Sequence, residues 1–262
     1  MGKTLLRSMV VVGLVVFIWE LSCRILSLPA WLLPAPSSVV AALQKDFLAL
    51  AQSFFFTLKL TIGAFLLAIV TGFLIGLLAH LSRFFKESFF PFTILLQTTP
   101  VVSVAPLLII WFRNNAFLAL LTCAWLVCVY PMISSTYAGL GKADANLQRL
   151  FTLYQSSVWH RVWHLDLPSA LPFIMNGVRM TGGLALVGAV GAEFVAGTGG
   201  QELGLAYRLL MAAYNQETAR LFAALSVVSA FGIFIHYSLS VAEDFLLRKL
   251  RVNGSFVLNN MK

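Results

Sequence analysis

His160 and His164 stand four residues apart, the spacing at which one helix face can grip a zinc ion. Arg161 occupies the place where a zinc-protease helix carries its Glu, and no third ligand is evident, so the pair reads as interfacial histidines. Cys123 and Cys128 are five apart, neither a zinc pair nor a redox pair, and with Cys23 they fall in or beside apolar runs as small hydrophobes. A phosphate-binding loop of the GxxxxGKS or GxxxxGKT form is missing, because Gly197-Thr198-Gly199-Gly200 has no Lys after it and reads as a turn. Asp144 and Asp166 are the acids of the stretch that holds both histidines, and without a nucleophile elbow they give no Ser-His-Asp hydrolase. What remains are ionisable groups in apolar runs: Glu20 with Arg24 four residues on, Glu193, and Glu243 with Asp244. An ion-coupled carrier buries acids near the bilayer midplane, and these are all off-centre. Glu193 is either an interfacial residue or part of an outer gate.

The elements that hold these residues follow from composition. Of 262 residues, 60% are hydrophobic and 11% charged, with mean hydropathy +0.88. A soluble domain carries about 25% charged residues, so a water-soluble globule is excluded. Strand-like alternation is absent, which leaves an all-α membrane protein. Six apolar segments of spanning length are predicted over residues 8–28, 54–81, 89–112, 116–138, 171–197 and 219–247. They form a single transmembrane domain over residues 1–262, with an N-terminal helix at 8–28, a core at 54–247 and a cytoplasmic loop at 139–170. The first segment follows Lys3 and Arg7 but lacks a small-x-small cleavage site, so it is expected to stay on the chain. With both termini inside, eleven Lys and Arg fall in inner loops against four in outer ones, which sets that orientation. The net charge of +8 follows from this asymmetry and favours anionic lipid. No basic and aromatic stripe points to nucleic acid.

Two loops are long. Residues 29–53, expected outside, lead through Leu33-Pro34-Ala35-Pro36-Ser37 into a short amphipathic helix. Residues 139–170, expected inside, carry Leu147, Phe151, Tyr154, Val158 and Val162 at helical spacing, a stripe for a bilayer surface or a docked protein. Ala68, Gly72 and Gly76 form a small-residue packing face in the second segment. Gly177, Gly182, Gly183, Gly188 and Gly191 suit a fifth segment that packs, slides or lines a pathway. Position 188 is accordingly expected to tolerate Ala but not Leu. Pro91, Pro100 and Pro106 break up the third segment, and the carbonyls they free need protein or a water-filled cavity. Pro100, Pro106, Gly188 and Glu193 are therefore the candidates for a pathway or gate.

The inner loop carries a family resemblance. Tyr154-Gln155-Ser156-Ser157-Val158-Trp159, then Leu167-Pro168-Ser169-Ala170-Leu171-Pro172, then Asn176-Gly177-Val178-Arg179, resembles the EAA loop of bacterial ABC-importer permeases. Gln97-Thr98-Thr99-Pro100, Ala105-Pro106-Leu107 and Trp111-Phe112 look like the branch that imports sulfonates, taurine and nitrate. Leu33 to Ser37, Ala192-Glu193, and Gly199-Gly200 to Leu203-Gly204 are similar to that branch as well. The sequence departs from the pattern where the family's Glu-x-Ala aligns with Arg149 and Phe151, its turn Gly with Gln155, and a Gly after Trp111-Phe112 with Arg113. Either the ATPase surface has changed to match, or the chain is the altered half of a heterodimer.

The resemblance implies a type I, MetI-like permease fold in the bacterial inner membrane, with a coupling helix between the fourth and fifth spans. It implies a second permease, as homodimer or heterodimer, two cytosolic ATPase subunits that hold the ATP and Mg, and a periplasmic or lipid-anchored binding protein. The chain itself would bind no cofactor and be no enzyme. Tyr154, Gln155, Ser156, Ser157 and Trp159 would couple to the ATPase, with Leu167 and Pro168 as the elbow, and the cargo would be a small anion. A stand-alone channel or secondary transporter is the alternative, and a membrane-embedded enzyme the third reading.

Overall fold

The computed structural model describes residues 2–98, 100–113, 115–197 and 204–259. The expected turn glycines at 199 and 200, with Leu203, Thr99 and Lys262, lie outside them. Among the described residues the secondary structure is entirely helical: α1 (Gly2–Ile25), α2 (Pro36–Lys45), α3 (Phe47–Leu81), α4 (Arg83–Thr98), α5 (Val101–Trp111) and α6 (Ala116–Leu140) come first. They are followed by α7 (Ala145–Leu153), α8 (Val158–Arg161), a π-helical turn (Val162–Asp166), α9 (Leu167–Gly197), α10 (Gly204–Tyr214) and α11 (Thr218–Asn259). Within the described residues four helices are long and apolar enough to cross a membrane: Phe47–Leu81, Ala116–Leu140, Val158–Gly197 and Thr218–Arg248.

The expected first segment, 8–28, lies in α1 as far as Ile25 and runs three residues past its end. The expected third, 89–112, is not one helix: α4 ends at Thr98, and Pro100 stands as the N-cap of α5 with φ −64° and ψ 109°. Proline lacks an N–H to continue the ladder and pushes the preceding residue out of helical geometry. Pro91 and Pro106 remain inside α4 and α5. The stripe expected on one inner-loop helix is likewise divided, between α7, α8 and the π turn. Residues 204–214, read from sequence as loop, form α10.

The chain forms two compact units. One comprises residues 1–57 and 197–231, the other residues 58–196 and 232–262. In the first, Leu50, Leu205, Leu209 and Ala224 make a core flanked by Leu43, Phe54 and Leu221. The start of α10 is fixed by the Leu205 N–H, which donates to the Thr57 hydroxyl at 2.9 Å. Glu20 pairs with Arg24 at 2.6 Å, as the four-residue spacing predicts. Its carboxylate also accepts from the Ser37 N–H at 3.0 Å and the Ser37 hydroxyl at 2.9 Å. That satisfies an N–H in the first turn of α2, where Ala35 at the N-cap offers no side-chain acceptor.

The second unit packs around Met132, Leu140, Ala170 and Ile174, with Ile69, Phe73 and Leu77 against them. Here the small-residue face of α3 meets α6: Ala68 is fully buried, and a Cβ at Gly72 or Gly76 would come within 2.7 Å of the Met132 or Thr136 Cβ. Trp125 donates to the Thr71 hydroxyl at 2.9 Å, and that hydroxyl donates to the Leu67 carbonyl at 2.7 Å. Both polar groups thereby find partners in an apolar environment.

Candidate functional site

Residues 144–168 build one continuous feature. Asp144 caps α7, its carboxylate accepting from the Asn146 and Leu147 N–H groups at 2.7 and 3.3 Å. The helix ends at Tyr154, after which Gln155 takes the left-handed conformation with φ +48°. The Gln155 N–H donates to the Thr152 carbonyl and the Ser156 N–H to the Phe151 carbonyl, both at 3.0 Å. This is a Schellman closure, whose left-handed position normally belongs to glycine. Gln155 stands where the resemblance places the family's turn Gly.

Ser157 opens the next helix by accepting from the His160 N–H at 3.3 Å. The chain then widens into the π turn, with the Leu167 N–H bonded to the Val162 carbonyl. Pro168 follows directly, and its missing N–H withdraws one donor from the helical ladder at this junction. Leu167 is half-buried and packs against the core of Met132, Leu140, Ala170 and Ile174. The elbow is therefore anchored in the protein. The side chains ahead of it are exposed: Tyr154 to 82%, Trp159 to 58% and Trp163 to 63%.

Asp166 roots this feature, a role that no local sequence pattern signals. It is buried, with Oδ2 3.2 Å from His80 Nε2 at the end of α3 and 3.3 Å from Arg161 Nε. The carboxylate thus joins the π turn, α8 and α3. His160 and His164 stack with ring centroids 4.1 Å apart, and His164 Nδ1 lies 3.0 Å from the His160 carbonyl. Among the described residues, no three His, Cys, Asp or Glu gather as metal ligands.

Two of the pathway candidates, Gly188 and Glu193, lie further along α9, the helix that Leu167 and Pro168 begin. Pro100 and Pro106 belong to the divided segment. Glu193 is buried in α9 at 1% exposure. Gly188 is buried where α9 crosses α6, and a Cβ there would meet the Ala124 carbonyl oxygen at 2.9 Å and the Val127 Cβ at 3.0 Å. The expected tolerance of Ala at 188 is corrected by this contact, since a backbone oxygen cannot swing aside. Gly183 and Gly191 have open space instead. Arg179 reaches α11, 3.5 Å from Glu243 and 3.2 Å from His236 Nε2.

Residues 68–251 match the family described as binding-protein-dependent transport system inner membrane component. The chain belongs to that family. It is an ABC-importer permease subunit, the membrane component of such a system rather than its ATPase. This permease is 28% identical to the formylaminopyrimidine transport permease protein ThiX of Halalkalibacterium halodurans, over 88% of this chain and 90% of the relative. It is 27% identical to SsuC of Bacillus subtilis (strain 168), a permease named for aliphatic sulfonates, over 93% and 87%. A chain of a crystallised amino acid ABC transporter superposes with TM-score 0.62 at 16% identity, covering 80% of the permease and 97% of that chain. The permease shares its fold. The family match begins within α3, so α1, α2 and the first turns of α3 precede it.

Proposed function

We propose that this permease translocates a small solute through a path shared with a second permease, driven by two cytosolic ATPase subunits that bind the ATP and Mg. A periplasmic or lipid-anchored binding protein delivers the solute. The cargo is a small organic or inorganic anion of the sulfonate, taurine or nitrate kind. The chain crosses the bacterial inner membrane six times with both termini cytoplasmic, α4 and α5 together making the third crossing.

One observation carries this reading: exposed aromatic side chains sit on a short element joined without a break to a long apolar helix. Tyr154, Trp159 and Trp163 project from a segment that runs through the Asp166 anchor into α9 without a flexible linker. Each large aromatic side chain buries ~150–250 Å² on docking. A groove on an ATPase that took these rings would gain affinity and a handle on α9. Tyr154, Gln155, Ser156, Ser157 and Trp159 form the docking surface, and Leu167 with Pro168 turns the push into the membrane. Pro100 and Pro106 shape the third crossing, Gly188 sets the approach of α9 to α6, and Glu193 belongs to the gate. A stand-alone channel leaves the exposed rings without a role.

The test is a pull-down of the tagged permease in mild detergent. The wild type is expected to retain an ATPase that crosslinks from Ser156. Tyr154→Ala with Trp159→Ala is expected to insert normally yet to lose transport, by at least tenfold, and the ATPase. Full transport by the double variant refutes the docking surface.

A further inference from the structure

A cavity of about 300 Å³ lies within the first unit, walled by Asp46, Ala49, Arg208, Asn215, Glu217 and Arg220 among others. Its volume sits at the lower end for small-molecule sites (~300–1,000 Å³). The charges on its wall are arranged in two groups. Arg220 is held by two carboxylates at once, Asp46 Oδ2 at 2.8 Å and Glu217 Oε2 at 2.6 Å. Two carboxylates on one guanidinium leave that group with a net negative charge. Arg208 is different: its Nε donates to the Ser53 hydroxyl at 3.1 Å. Among the described residues no carboxylate lies within ion-pair distance of it. Its side chain is half-buried, and a cation so placed, with no described carboxylate at ion-pair distance, favours an anion beside it.

We propose that this cavity binds a small zwitterion, its oxyanion at Arg208 and its ammonium at the Asp46–Glu217 carboxylates. A simple anion would meet the carboxylates as well as Arg208, and a simple cation would meet the arginines, so each fits half the wall. Asn215 offers a neutral amide that donates or accepts. Asp46, Ala49 and Leu50 all precede the span matched by the family, so part of the wall lies outside what defines the family as a whole. Taurine is the one cargo kind named above that carries both charges, so a role of the cavity as a receiving site for delivered solute rests on the importer reading with that kind of cargo, whereas binding itself does not.

The test is calorimetric titration of the full-length permease in nanodiscs with taurine and β-alanine, and with ethanesulfonate and ethylamine as single-charge analogues. At least one zwitterion is expected to bind at least tenfold more tightly than both analogues. Arg208→Gln is expected to weaken that binding at least tenfold. Ala49→Leu, which keeps every charge and fills space, is expected to do the same and guards against misfolding of the first variant. Failure of both zwitterions to bind, equal binding of ethanesulfonate, or unchanged affinity in a folded Arg208→Gln or Ala49→Leu variant would overturn the proposal. ATPase retention is read on the same preparations: its presence without zwitterion binding removes the cavity proposal alone, and binding without an ATPase removes the importer reading alone.

Discussion

Gln155 holds φ +48° in a turn whose hydrogen bonds require that conformation. A non-glycine residue there costs about 1–2 kcal/mol, partly offset because glycine loses more backbone entropy on folding. Gln155→Gly is therefore expected to leave thermal stability equal or slightly raised. Gln155→Val, β-branched at the same backbone angle, is expected to lower it by at least ~1 kcal/mol. Thermal unfolding of the two variants in detergent checks the pair, and a more stable Val variant would contradict the turn geometry. The sequence made this position legible because the turn Gly of the family aligned with it. Asp166 was not legible in the same way. Its partner His80 lies in α3, distant in sequence, and no local pattern announces a pairing made only when α3 meets the π turn.

At the scale of elements, contrasting glycines in α9 make opposite predictions. Gly188 touches the backbone of α6, whereas Gly183 faces open space. Gly188→Ala is expected to destabilise the α6–α9 contact by about 1–3 kcal/mol through overpacking. Gly183→Ala is expected to be neutral or to gain up to ~1 kcal/mol from helix propensity. Comparing the detergent melting temperatures of the two variants decides this, and equal values would place Gly188 away from α6. Periodicity located the segments that became α3, α6, α9 and α11, because long apolar runs admit few alternatives. It could not divide α7 from α8, since Leu147, Phe151, Tyr154, Val158 and Val162 keep helical spacing across a turn that backbone hydrogen bonds impose. It also passed over α10, whose short apolar face became readable only once Leu205 and Leu209 joined the core with Leu50.

At the scale of the whole molecule, large apolar side chains such as Leu66, Val70 and Phe234 are exposed along helices of spanning character. Hydrocarbon surroundings remove the cost that water would impose on them. The orientation of those spans is tested by labelling. Cys23, Cys123 and Cys128 are buried, so an introduced thiol stands out against a low background. Tyr154→Cys is expected to react with an impermeant maleimide from the cytoplasmic side only, and Trp31→Cys from the outer side only. The reverse pattern would overturn the orientation set by the Lys and Arg count.

The run from Val158 to Gly197 has a mechanical consequence. At ~1.5 Å per residue, α9 alone makes a strut about 46 Å long over its 31 residues, and its foot is bolted through Asp166 to the end of α3. A displacement applied at Trp159 is then not absorbed by a slack tether. If Trp159 seats on an ATPase as proposed, the wide turn and Pro172, where the helical ladder is altered, are the places where such a strut would bend, and they would set how far a stroke travels.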